Sequence, residues 1–237
     1  MADAVLSLQN ISGWYGESHV LHNVNLDVKK GEVVSLIGRN GAGRTTILRA
    51  IMGMLDKRTG TLKIKGRDMS NVAPHRMAAV GLGYCPEERG IFSSLTCEEN
   101  LLLPPVTQVN SGMAMSLDEI YAMFPNLKER ANSRGTLLSG GEQQMLALAR
   151  ILRTGADILL LDEISEGLAP VIVQTLARVI EKLKARGFTI LIVEQNFRFI
   201  APLADRFFVI EHGQVIEEIR EAELATRMSE IRTFLGV

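Results

Sequence analysis

The chain has 237 residues, 46% of them apolar, which suits one large α/β domain with a sizeable core. A formal net charge of −1 gives no reason to expect nucleic acid or an anionic membrane surface as a partner. No apolar run approaches the roughly 18 residues of a membrane span, and the start lacks the basic and apolar regions of a signal peptide. Cys85 and Cys97 have neither metal nor redox spacing, so free thiols and a cytoplasmic setting are expected.

The first third reads as β-rich. Strand character runs over Ala4 to Ile11 and Val24 to Val28, and the turn Lys29-Lys30-Gly31-Glu32 leads into the apolar run Val33 to Ile37. A helix is expected over Thr45 to Met54, with Ile47, Leu48, Ile51 and Leu55 on one side, and a strand over Thr61 to Lys65. From about Thr96 to Thr154 the pattern turns helical, interrupted by Pro104-Pro105 and by a polar stretch around Gln108 to Ser116. The last third alternates strand Ile158–Leu161, helix Val171–Ala185, strand Phe188–Val193, a helix from Asn196, and a hairpin of Arg206–Ile210 with Val215–Ile219. Strands alternating with helices imply a largely parallel sheet. The expected layout is an α/β core over about 1–95 and 156–237, with a helical subdomain inserted over about 96–155.

Three segments carry the chemistry. Gly38-Arg39-Asn40-Gly41-Ala42-Gly43-Arg44-Thr45 fits the phosphate-loop pattern G-x-x-x-x-G-K-[ST] except that arginine replaces lysine; Thr46 follows. Glycines are needed there because backbone N–H groups must close round phosphate oxygens, and the helix N-terminus also faces the anion. Thr45 would offer its hydroxyl to Mg²⁺. Arg44 keeps the positive charge in a wider, planar group, so contact with β- and γ-phosphates is expected with shifted geometry and slower chemistry. The plain alternative is a strand-to-helix turn without a ligand.

Leu138-Ser139-Gly140-Gly141-Glu142 opens a second helix, and Ser139 with Glu142 forms a capping box. Capping does not require two consecutive glycines, whereas close approach of a second protomer's γ-phosphate does. Ile158–Leu161 then delivers Asp162 and Glu163 to a strand's carboxyl end. Asp162 is the candidate for the Mg²⁺ shell, and Glu163 the candidate general base that polarises the attacking water. Carboxylates that merely cap the next turn are the alternative.

Taken together these segments resemble an ABC transporter ATP-binding subunit over essentially the whole chain. The fold implied is a P-loop NTPase core of ABC type, α/β, with an N-terminal β-rich subdomain and an inserted helical subdomain. The strings from Leu138 to Arg150, Glu166 to Pro170, Leu191 to Asn196 and Tyr84 to Phe92 are most similar to the branched-chain amino acid uptake branch, its LivF-like ATPase. The resemblance implies ATP and Mg²⁺ as cofactors. It gives Tyr15 as the aromatic that stacks on adenine, and Glu87 in the place of the glutamine that senses Mg²⁺ and the membrane partner. Gln195 stands where many relatives carry a histidine that contacts γ-phosphate. Ile164 and Glu166 depart from the family pattern beside the hydrolysis site. His19, His22, His75 and His212 show no ligand spacing and are expected at the surface or in turns.

The function implied is ATP binding and hydrolysis for an importer, with two subunits sandwiching ATP between one phosphate loop and the other's Ser139-Gly140-Gly141. Partners implied are a LivG-like ATPase or a second copy, two membrane permease subunits contacted between about Glu87 and Leu103, and indirectly an external solute-binding protein. The location implied is the inner face of the cell membrane, peripherally. Uptake of urea or another small solute, or a regulatory subunit weakened by Arg44, are the competing readings. A DNA- or ribosome-directed protein of the same superfamily would bring paired domains, a coiled coil or basic extensions.

Overall fold

The computed structural model describes residues 4–105 and 112–235. Two sheets divide the strands. β1 (Ala4–Tyr15), β2 (Ser18–Lys29), β4 (Lys57–Ile64) and the short β5 (Arg67–Asp68) form an antiparallel sheet in the order β2-β1-β4-β5. β3 (Val33–Ile37), β6 (Leu82–Cys85), β7 (Ile158–Asp162), β8 (Thr189–Val193), β9 (Arg206–Glu211) and β10 (Gln214–Arg220) form the second, in the order β10-β9-β3-β8-β7-β6. All neighbours in the second sheet run parallel except the β9–β10 hairpin.

Alternation decides what covers each face of the parallel sheet. Leu159 and Leu161 of β7, with Ile190 and Ile192 of β8, enter one core cluster together with the helices. Ile158, Leu160, Leu191 and Val193 point the other way, into a cluster shared with the antiparallel sheet and α1 (Arg44–Met52). Every residue of β3, β7 and β8 is buried, which is why these strands read as unbroken apolar runs rather than alternating ones.

α1 ends earlier than its periodicity predicts. Gly53 adopts φ 73° and turns its N–H back onto Ala50 and Arg49, so Leu55 lies beyond the helix although it still packs on the core. Among the described residues of the central segment, four α-helices follow: α2 (Cys97–Leu102), α3 (Leu117–Met123), α4 (Pro125–Glu129) and α5 (Gly140–Arg153). Thr96, Ser116 and Ser139 each close a capping box, at α2, α3 and α5. Residues 108–111 of the expected polar break lie outside the described residues. α6 (Pro170–Ala185) matches its expectation to within one residue, and α7 (Phe197–Ile200) is a single turn capped by Asn196. The short β5, β6 and the C-terminal α8 (Leu224–Leu235) have no counterpart among the sequence expectations. Cys85 and Cys97 are both buried and free.

Candidate functional site

The strand order β3-β8-β7 brings three strand ends side by side. Leu36 of β3 pairs with Val193 of β8, and Val193 pairs with Asp162 of β7, so the glycine loop, Glu194-Gln195 and Asp162-Glu163 emerge at one level. Open α/β sheets bind their ligands at this carboxyl edge.

The glycine loop fits its surroundings only as glycine. A Cβ on Gly38 would lie 2.2 Å from the carbonyl oxygen of Ile210, and Gly43 sits at φ 105° as it opens α1. The Thr45 hydroxyl donates to Asp162 Oδ1 at 2.9 Å, and the Tyr84 hydroxyl donates to Oδ2 at 3.1 Å. Burial raises the Asp162 carboxyl, against the opposing effect of those two donors. A buried acid answered only by neutral hydroxyls is one that a hard cation with oxygen ligands would satisfy. Nearby, carboxylate oxygens of Glu87, Glu163 and Glu166 lie within 4.8 Å of one another. These oxygens fit Mg²⁺ chemically.

Glu163 is held in an unusual posture. Its φ is 47°, sparsely populated for a residue with a side chain, and its N–H donates to Val193 O at 2.9 Å. Gln195 Nε2 donates to Glu163 Oε2 at 2.8 Å, and Arg44 Nη2 donates to Oε1 at 3.0 Å. Arg44 is itself almost fully buried, and burial lowers its guanidinium from the usual range while Glu163 and Asp162 push it back. Hydrogen bonding to Glu163 raises the Glu166 carboxyl to about 7.

Glu194 anchors the loop that follows β7. It is 2% exposed, and accepts from the Ser165 N–H at 2.9 Å and the Ser165 hydroxyl at 2.8 Å. Burial pushes its carboxyl up to about 7, against those donors. A carboxyl raised on folding binds a proton more tightly in the native state. Its stabilisation is therefore complete below the ordinary glutamate value and is lost as pH rises through about 7. Glu194→Gln accordingly flattens the decline of melting temperature between pH 5 and pH 8 and raises stability at the alkaline end; an unchanged slope in thermal unfolding would disprove this.

These residues surround an open cavity of about 610 Å³. The loop from Asn40 to Thr46, Glu87, Glu163 and Gln195 all reach it, with Asp162 buried behind Thr45. Gly38 and Arg39 border a neighbouring cavity beside Gln195. Ser139, Gly140, Gly141 and Glu142 do not line the nucleotide-loop cavity. They sit at the start of α5, where Ser139 Oγ accepts from the Glu142 N–H and the Ser139 N–H donates to Glu142 Oε2. Tyr15 does not line the cavity either, and its buried hydroxyl has no hydrogen-bond partner among the described residues.

The aromatic group at the cavity rim is a different one. His19 stacks on Trp14 with 4.2 Å between ring centroids and 7° between planes, and His19, His22 and His212 all line the cavity. Residue spacing alone does not reveal them. The available signal is the Gly16 turn, which pairs Trp14 with His19 across the β1–β2 hairpin.

A glycine loop between a buried strand and a helix, facing a strand-end acid pair across a cavity, defines a P-loop nucleotide-binding protein. Residues 21–166 match the ABC transporter family. The chain is 38% identical over 98% of its length to a high-affinity branched-chain amino acid transport ATP-binding protein, BraG, of Pseudomonas aeruginosa, covering all of that protein. It is 32% identical over 89% of its length to a probable branched-chain amino acid transport ATP-binding protein, LivF, of Archaeoglobus fulgidus, covering 90% of it. Among solved structures, a nucleotide-free ATP-binding cassette from an ABC transporter superposes with a TM-score of 0.84 at 25% identity, with 99% of each chain covered. A dimeric, post-hydrolysis ATP-binding cassette bound to ADP and phosphate gives 0.78 at 27% identity, over 91% of this chain and 98% of that one. The chain belongs to the ABC transporter family, as an ATPase subunit. Among the described residues no helix is long and apolar enough to cross a membrane.

Proposed function

We propose that this chain binds MgATP at the Gly38–Thr46 loop and energises uptake of branched-chain or related amino acids. The observation that carries the reading is the meeting of Thr45, Asp162, Glu163 and Gln195 at the carboxyl edge of three adjacent strands. Loop N–H groups and Arg44 bind the phosphates, and Thr45 and Asp162 would hold Mg²⁺, with Glu87 beside them. A bound ion would supply positive charge to offset that of the phosphates. Glu163 takes the proton of the water that attacks the γ-phosphorus, ADP leaves, and Gln195 keeps the carboxylate aimed.

The distance in the fold between Ser139 and this cavity supports a sandwich of two subunits, in which the Ser139-Gly140-Gly141 turn of one chain meets the γ-phosphate of the other. A LivG-like ATPase or a second copy would fill that role. The permease side of the reading is supported by a largely apolar cavity of about 440 Å³ lined by Met54, Tyr84, Pro86, Arg89 and Pro104, with Phe92, Leu102 and Leu103 exposed along the same stretch. Two permease subunits seated there would hold the chain peripherally on the inner face of the membrane and link it to an external solute-binding protein. The amino acid cargo follows the names of the BraG and LivF relatives. Cargo is set by the membrane partners, since this chain's cavities are built for phosphate and for protein.

Mixing two inactive forms tests the sandwich. A Ser139→Arg chain and a Glu163→Gln chain are each expected to hydrolyse almost no ATP. Where one transporter holds a chain of each variant, one of its two composite sites has an intact loop facing an intact Ser139 turn, so part of the activity returns. No recovery in transporters shown to contain both variants would refute the shared site.

A further inference from the structure

The Arg44 guanidinium gathers three separate pieces of the site. Nη1 donates to the carbonyl oxygen of Glu194 at 3.1 Å, and Nη2 donates to Asn40 Oδ1 at 3.3 Å and to Glu163 Oε1 at 3.0 Å. The two side chains of the ion pair are 4% and 9% exposed, so water contributes little to either. With Gln195 on Oε2, both oxygens of Glu163 are engaged by donors. A carboxylate so held is poorly placed to accept a proton from water.

Lysine would not reproduce this arrangement. It ends in one nitrogen, whereas the fork of arginine places two nitrogens in fixed directions, one toward β8 and one shared between the glycine loop and β7. The substitution that departs from the phosphate-loop pattern is thus the one that makes the contact.

We infer that Arg44 is a positioning residue that latches Glu163 while the loop holds no nucleotide, and releases it when a polyphosphate enters. This rests on the nucleotide reading of the loop. A buried guanidinium needs an anion beside it, and phosphate oxygens at the loop compete for the Nη2 donor that holds Glu163 through a single bond. The exchange takes Arg44 off Oε1 and leaves Glu163 with Gln195 and Glu166 as its side-chain partners. Nucleotide loading and uncovering of the base become one event.

ADP binding in EDTA isolates the exchange, because neither γ-phosphate nor Mg²⁺ then acts on Glu163. Four full-length chains are compared by calorimetry: the parent, Glu163→Gln, Arg44→Lys, and both together. Removing the charge of Glu163 should tighten ADP binding about tenfold where Arg44 is present and change it less than about twofold beside lysine, a coupling typical of side chains in contact. Urea unfolding of the same four chains without nucleotide should show non-additive losses at the two positions. Equal tightening in both backgrounds, or additive unfolding losses, overturns the latch. Failure of all four chains to bind ADP instead overturns the nucleotide reading, and the trigger of the latch with it.

Discussion

Glu163→Gln lowers steady-state ATP hydrolysis by the assembled transporter about 100- to 10,000-fold, the range expected when a positioned general base is lost. Binding survives the change, since the amide keeps the volume of the carboxylate and every residue of the loop that holds the phosphates is retained. The variant therefore separates loading from turnover: ATP stays bound, the subunit pair stays closed, and solute uptake stops with hydrolysis. Phosphate release and nucleotide retention measured on one sample check both halves. Turnover within a fewfold of the parent would remove Glu163 from the reaction and make the regulatory-subunit reading the better one.

Much of this site is legible in the sequence because the chemistry constrains residue types tightly. A loop that must wrap phosphate has to be glycine-rich, and strands buried on both faces have to be apolar from end to end, so β3, β7 and β8 announce both themselves and the acids at their ends. What stays hidden depends on pairing across the fold. Trp14 and His19 become a stacked pair only once the β1–β2 turn sets their register. Glu194 reads as one residue of a family string, yet its work is to hold Ser165, 29 positions away. α8 escapes because its apolar stripe is weak: of its residues only Ile231 is fully buried. Arg44 is visible as a departure from pattern, but sequence points it toward phosphate, and only the fold shows Glu163 within its reach.

The second large effect concerns stability, and falls at Gly213. This residue forms the β9–β10 turn at φ 72°, where a Cβ would lie 2.0 Å from the carbonyl oxygen of Val20. Its N–H donates to Ala42 O at 2.8 Å, and its carbonyl accepts from the His22 N–H at 2.9 Å, so the turn is wedged between the β-rich sheet and the phosphate loop. Gly213→Ala must strain a left-handed residue and also push the turn away from the Val20 backbone. A loss on the order of 3 kcal/mol or more is expected, lowering the melting temperature by roughly 10 °C in a chain of this size. Weaker nucleotide binding accompanies it, because Ala42 belongs to the loop. Gly167→Ala is the matched comparison: φ is also positive, at 66°, but nothing lies within 4 Å of the added carbon. That variant shows only the conformational cost, about 1–2 kcal/mol. Equal melting temperatures for the two alanine variants would mean that the Val20 contact is not what excludes a side chain.

The position of the Ser139 turn, remote from its own chain's loop, bears on how a mixed pair keeps time. If the proposed sandwich pairs it with an ATPase whose loop carries lysine, this chain would build two unlike clocks. One combines the Arg44 loop with the companion's glycine turn, and the other combines the companion's loop with Ser139. Each chain of such a pair gives its loop to one site and its glycine turn to the other, so an inherited change at either feature would slow one clock and leave the other running.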